Sequence, residues 1–207
     1  MGISPSTATR HWEAERYVCP QLPSFLKKHS KIKVVLSLID QPVSLKKEGC
    51  DLVVGCGLAK LKNSSMIARK IADDELFLVA SPQYLRKKGT PNTIEDFKGH
   101  NLIIYNASLY ENKWPLRNSN KVSTVPGKVW INNGEIAKQL AIDCVGITLL
   151  PRIFVSEEIE NGSLVSIFKK HINFKGHLYS IYKPGKNQPI ATKLFVDFTM
   201  KCFKGIS

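Results

Sequence analysis

The sequence predicts an α/β fold of two Rossmann-like lobes joined by two hinge crossovers, and three stretches carry that prediction. Leu52-Val53-Val54 is a short apolar strand that runs into Gly55-Cys56-Gly57. Leu76-Phe77-Leu78-Val79-Ala80 is a second, ending in Ser81-Pro82, and Ile147-Thr148-Leu149-Leu150 is a third, held between Gly146 and Pro151. Short, fully buried strands that stop at Gly, Ser or Pro are how an open α/β sheet presents a ligand crevice at its strand ends. Strands alternating with helices along the whole chain argue for the same class.

Taken in order, residues 1–4 read as a short strand and Ser4-Pro5-Ser6-Thr7 as a polar turn. A helix is expected over 10–29, with Pro20 restarting it, since proline suits a first turn. Leu22, Phe25 and Leu26 mark its apolar face. Alternation over 31–38 predicts a strand, and a short helix over 43–48 is closed by Gly49. Strands follow at 52–54, 66–71 and 76–80. Residues 82–85 begin a helical turn, 87–91 form a loop, and Thr93 caps a short helix over 94–98. A strand at 101–105 precedes a polar stretch over 106–120 that Trp114 anchors. A strand over 122–131 is interrupted at Pro126-Gly127. Asn132 or Asn133 caps a helix over 134–144 whose apolar face is Ile136, Ala137, Leu140 and Ala141. A buried strand at 147–150, a helix opened by Pro151 and strands at 164–167 and 178–182 follow. The terminal helix over 191–203 turns Leu194, Phe195, Phe198 and Phe203 inward. The chain leaves the first lobe near Ala80 and returns near Tyr182. The lobes are therefore expected to be 1–80 plus 183–207, and 81–182, with a ligand crevice between them.

Composition narrows the function. With 207 residues, 43% hydrophobic and 23% charged, the chain is ordinary for a globular protein. No apolar run approaches the roughly 20 residues of a membrane helix, and Met1-Gly2-Ile3-Ser4-Pro5 has no secretion signal. A cytoplasmic protein with no membrane partner is expected. The five cysteines, Cys19, Cys50, Cys56, Cys144 and Cys202, include no C-x-x-C pair, so free thiols and no metal site are expected. The net charge of +13 comes largely from scattered lysine pairs such as Lys27-Lys28 and Lys87-Lys88, the pattern of a solvated surface rather than of a nucleic-acid reader. Gly55-Cys56-Gly57 lacks the third glycine of a dinucleotide fingerprint, and there is no Walker loop, G-x-S-x-G or H-E-x-x-H. No enzyme activity and no cofactor are expected.

Candidate ligand contacts come from the expected strand ends and helix starts. Ser4, Ser6 and Thr7 offer hydroxyls at a helix start, either to a polar ligand or as plain caps. Gly55 and Cys56 end a central strand, as a ligand approach or as a tight turn. Asn132 and Asn133 open the second-lobe helix, and Ser81 sits at the first crossing, where a structural role is favoured. Thr148 interrupts an apolar strand and is read as bonding within the core.

Five segments, in order, carry a family likeness. Leu22-Pro23-Ser24-Phe25-Leu26-Lys27-Lys28-His29 resembles the LPxFLxxHP helix of LysR-type transcriptional regulators, and Glu48-Gly49-Cys50-Asp51-Leu52-Val53-Val54 their EGxDLAI segment. Val79-Ala80-Ser81-Pro82-Gln83-Tyr84-Leu85 with Gly89-Thr90-Pro91 is similar to VASPxYL…GTP, and Asn132-Asn133-Gly134 with Val145-Gly146-Ile147-Thr148-Leu149-Leu150-Pro151 to NNGEAL…GLGIALLP. Glu157-Glu158-Ile159-Glu160-Asn161-Gly162-Ser163-Leu164-Val165 is similar to xEELxxGxLV. Two positions depart from the pattern: Gly55, where related regulators often carry Arg, and Cys144, at the first Gly of GLGIALLP. The resemblance implies an effector-binding domain with a fold like type-2 periplasmic binding proteins. It implies a small polar effector, homodimers or homotetramers in which the helix around Pro20 to His29 packs on a neighbour, and DNA contact only through a winged helix-turn-helix expected to be absent from this chain. The alternative on the same fold is a transporter's solute-binding protein. Residues 2–11 read either as first strand and ligand loop, which is favoured, or as a recognition-helix remnant.

Overall fold

The computed structural model describes residues 6–9, 13–38, 51–56, 66–105, 113–114, 123–168, 175–182 and 189–204. The strand expected at 1–4, Ser4 and the helix expected at 43–48 lie outside them. The strands are β1 (Ser6–Thr9), β2 (Val35–Leu38), β3 (Leu52–Cys56), β4 (Ile67–Ala80), β5 (Leu102–Tyr105), β6 (Lys113–Trp114), β7 (Ser123–Thr124), β8 (Gly127–Ile131), β9 (Ile147–Pro151), β10 (Val165–Ile167) and β11 (Lys175–Tyr182). The α-helices are α1 (Leu22–Lys28), α2 (Pro82–Lys88), α3 (Gly134–Ile142), α4 (Arg152–Glu160) and α5 (Ile190–Cys202). The chain forms two compact units, Met1–Asp73 with Gly176–Ser207, and Asp74–Lys175. The expected boundaries, at Ala80 and Tyr182, fall at the far ends of β4 and β11, the strands in which the chain passes from one unit to the other.

In the first unit β1 lies between β2 and β3, parallel to both, and β11 pairs antiparallel with β3. Ser6 and Thr7 therefore stand inside a strand, not in the expected turn after one. β-Branched threonines at 7 and 9 fit a pleated surface, and polarity alone had suggested a turn. The helix expected over 10–29 is two pieces. A π-helical turn, Ala14–Val18, closes with the Cys19 amide donating to the Ala14 carbonyl at 2.7 Å, and α1 begins at Leu22. Pro20 has no N–H to extend the first piece, which separates them. Helix α5 buries Phe195, Val196, Thr199 and Cys202, and Phe203 just beyond it, while Leu194 and Phe198 are half-buried at the edge of the cluster. Phe25 from α1 meets Phe195 edge-on at 5.4 Å and Phe198 at 4.6 Å. Such aromatic pairs add about 0.5–1.5 kcal/mol each beyond their buried area. Burial pushes the Cys202 thiol up to about 12, which leaves it an inert core residue.

In the second unit β9 runs antiparallel to β4 and parallel to β5, β8 flanks β5 in parallel, and β10 pairs antiparallel with β4. The strands expected at 66–71 and 76–80 are one continuous strand, because exposed Asp73 and Glu75 decorate β4 without breaking it. All five residues of β9 are buried. Gly146, just before β9, is required by packing: a Cβ there would strike the carbonyl oxygen of Asn101, which accepts the Ile147 amide at 2.9 Å. Thr148 donates to the Ile103 carbonyl at 3.0 Å, the core bond expected of it. Helix α3 departs from expectation on one residue: Ile136 is 50% exposed, and Lys138 takes a buried position instead.

Candidate functional site

In the first unit the parallel order of β1, β2 and β3 brings their carboxyl ends to one edge of the sheet. Thr9 pairs with Val54, so Thr9, Gly55 and Cys56 share that edge. Ser6 and Thr7 start β1 and lie about 10 Å back along the strands from Gly55, so the grouping of Ser6 and Thr7 with Gly55 and Cys56 does not hold. Thr7 shares its face with Leu52, which sits in the apolar cluster, and its buried hydroxyl has no hydrogen-bond partner. Leaving a buried hydroxyl unpaired costs about 1–3 kcal/mol. The residue that sequence reading missed is Thr9. Its hydroxyl donates to Glu13 Oε2 at 2.9 Å, and both side chains are fully buried. The Thr-x-x-x-Glu spacing was visible, but the misplaced first strand hid its meaning. Ser180 lies in the same row of the sheet, opposite Val54 on β11, with a buried and unpartnered hydroxyl.

In the second unit β5, β8 and β9 are parallel, and the carboxyl end of β8 runs into Asn132 and Asn133. Asn133 is the N-cap of α3, its side-chain oxygen accepting the Ile136 amide at 3.0 Å. That settles which asparagine caps. Asn132 is half-buried beside it. Gly134 permits this start, since a Cβ there would meet the ring of Phe154.

Ser81 is not with them. Because β4 is antiparallel to β9, Ser81 follows the end of β4 that lies beside the start of β9. It is on the order of 15 Å along the sheet from Asn132. Its buried hydroxyl caps α2 by accepting the Tyr84 amide at 3.3 Å, and donates to Cys144 Sγ at 3.2 Å. Around it, Asn101 donates its backbone amide to the Tyr84 hydroxyl at 2.9 Å and its side chain to the Val145 carbonyl at 2.9 Å. Burial raises the Tyr84 phenol, with the Asn101 amide opposing. Burial also lowers the His100 imidazole, which lies 3.3 Å from the Tyr84 oxygen, with Asp96 opposing. Cys144 adopts a left-handed backbone, φ 63°, which accounts for a glycine at the matching position of the family motif.

Chemically, the strand ends offer backbone groups at Gly55 and Cys56 and the half-buried amide of Asn132, suited to hydrogen-bonding a polar molecule. Among the described residues the bonded histidine rings contact Tyr84 and Asp73, not a Ser or Cys nucleophile. No group of three metal-ligating side chains occurs among the described residues. No helix among them is long and apolar enough to cross a membrane.

Comparison with known proteins gives consistent results. A family model described as the LysR substrate binding domain matches residues 7–202. An uncharacterised HTH-type transcriptional regulator of Haemophilus influenzae is 28% identical over 176 residues, covering 84% of this chain and 60% of the relative. The regulatory domain of CrgA, a LysR-type regulator from Neisseria meningitidis, superposes with a TM-score of 0.83 at 21% identity, over 98% of this chain and 100% of that one. Full-length AphB from Vibrio cholerae, a virulence activator of the same family, has a TM-score of 0.79 at 27% identity, over 97% of this chain and 68% of that one. The chain spans 60–62% of the length of the first curated relatives it matches.

Proposed function

Because the chain belongs to the LysR substrate-binding domain family, with the periplasmic-binding-protein-like fold of its regulatory domains, we propose that it senses a small polar metabolite and passes the result to DNA-binding domains outside these 207 residues. The matched relatives are regulators of transcription, which decides between this reading and that of a transporter's solute-binding protein. The observation that carries it is the family match running almost end to end, over residues 7–202. A ligand that binds one arrangement of the domain more tightly than another shifts the population by its differential affinity, and no catalysis is needed.

The two compact units are the regulatory lobes in this reading. Candidate effector contacts, each unit taken by itself, are the strand end at Gly55 and Cys56 in the first unit and Asn132 and Asn133 in the second. Gly55 brings no positive charge to its strand end, which favours an effector held by hydrogen bonds over a strongly anionic one. The domain works in the cytoplasm, without enzymatic turnover, as part of a homodimer or homotetramer. Exposed large apolar side chains support self-association: Leu26, Val35 and Leu38 in the first unit, and Trp130 and Ile136 in the second.

A thermal-shift screen against neutral and carboxylated small metabolites tests the sensing role, since a ligand specific for the folded state raises its stability. The expected result is at least one ligand that raises the melting temperature and whose affinity drops about three- to tenfold in Asn132→Ala, the loss of one net hydrogen bond. A ligand that binds equally well to the Asn132→Ala variant sinks the placement of the site.

A further inference from the structure

The first unit also carries an amphipathic groove that the effector reading does not use. It lies between α1 and α5, has a volume of about 440 Å³, and is lined by Gln21, Ser24, Phe25, Lys28, Leu194, Phe198 and others. That volume falls within the roughly 300–1,000 Å³ of small-molecule sites. Its floor is aromatic and well supported. Phe25 packs on Phe198 at 4.6 Å with the rings tilted 33°, on His29 at 4.8 Å, and on fully buried Phe195 beneath. Gln21 ties one end down, donating to the carbonyls of Tyr17 and Cys202.

The lining charge is uneven. Asp197 is the carboxylate of the lining, and Arg69 engages it at 3.5 Å. Lys28 and Lys201 line the same groove with no ion pair among the described residues. Two ammonium groups beside an aromatic floor match an occupant that is flat, apolar and singly anionic at one end. The floor stacks the ring, and the two exposed lysines attract the carboxylate through a salt-sensitive charge contact. Leu26, the exposed apolar side chain of α1, lies about 160° round the helix from Ser24 and Lys28, so it points away from the middle of the groove and comes near only its edge at His29.

We propose that the α1–α5 groove is a second ligand site, for small aromatic carboxylates, independent of the strand-end effector site. 2-Naphthoate and its neutral isostere 2-naphthamide are suitable probes, added to the intact chain and followed by ¹H–¹⁵N chemical-shift mapping and calorimetry. The expected result is saturable binding of the acid with shifts concentrated at residues 20–29 and 194–201. Affinity falls about tenfold or more in the Lys28→Gln/Lys201→Gln double variant and on raising the salt, because screening weakens an exposed charge contact. Both lysines are exposed, so the double variant keeps the fold. Equal binding of the amide, equal binding by the double variant, shifts confined to the strand ends, or no saturation by about 10 mM would each overturn the proposal. The strand-end effector reading survives any of these outcomes, since its variants lie elsewhere.

Discussion

The two units solve one packing problem with opposite chemistry. The first holds its outer helices with rings: Phe25 of α1 meets Phe195 and Phe198 of α5. The second joins α3 to α4 with charge. Lys138 of α3, its side chain 11% exposed, lies 2.8 Å from Glu135 and 2.8 Å from Glu158 of α4, and donates to the Phe154 carbonyl. Burial alone would lower the Lys138 ammonium, but the two carboxylates reverse this and its pKa is raised. Rings tolerate small shifts, because dispersion is non-directional. A buried ion pair does not, because each partner left alone is a desolvated charge. The lesson is that the first unit is built to stay packed and the second to keep one helix in one register.

The comparison breaks most readily at its two centres. Phe195→Ala is expected to cost about 3–5 kcal/mol, the range for truncating a fully buried Phe, read as a lower denaturation midpoint with hydrogen exchange accelerating first in the first unit. Lys138→Met is expected to cost about 3 kcal/mol by stranding Glu158, whose other oxygen already lacks a partner. The Lys138→Met/Glu158→Leu double variant should recover most of that loss. Failure to recover would mean the charges set stability rather than register. In the same unit, Cys144→Gly should stabilise by about 0.5–1 kcal/mol, since a non-glycine residue in the left-handed region is strained. A lower melting temperature would mean that the Ser81 and Gln83 contacts to its sulfur outweigh the strain.

The smallest expected effect is in pH dependence. The folded His100 pKa is lowered, chiefly by burial. Below the ordinary value of 6.5 the unfolded chain therefore binds more protons than the folded one, and stability falls as pH falls through that range. His100→Gln should flatten the melting-temperature profile between about pH 7 and pH 5. An unchanged slope would place the acid sensitivity elsewhere. The lysine works in the opposite direction: its raised folded pKa means that its stabilising contribution is present through neutral pH and is lost only as pH rises through that value.

Much of the second unit was legible because its signals are local. Pro82 and Ser81 announce α2, Asn133 caps α3, and the short apolar run of β9, interrupted only by Thr148 and bounded by Gly146 and Pro151, reads as a buried strand. The first unit was less legible at its start, where Ser6 to Thr9 is polar yet sits in the sheet, because pairing with β2 and β3 decides a strand that composition does not. β4 is continuous where two strands, 66–71 and 76–80, are expected, because solvent-facing Asp73 and Glu75 carry the strand between them. At the candidate site, residue types were readable but distances were not. Strand direction separates Ser81 from Asn132, and no one-dimensional pattern carries the antiparallel sense of β4.

The wide turn at Ala14–Val18 has a consequence for chain length. Its bond skips one residue more than an α-helix would, from the Cys19 amide to the Ala14 carbonyl, while Ala14 and Val18 both stay buried. Such a loop of backbone absorbs a surplus residue on the spot. Removing one of the solvent-facing positions there should let the coil tighten to ordinary pitch and leave the neighbouring strand and α1 where they are. A one-residue deletion at this place is thus expected to leave the fold on either side undisturbed, which an unchanged amide fingerprint for β1 and α1 would check.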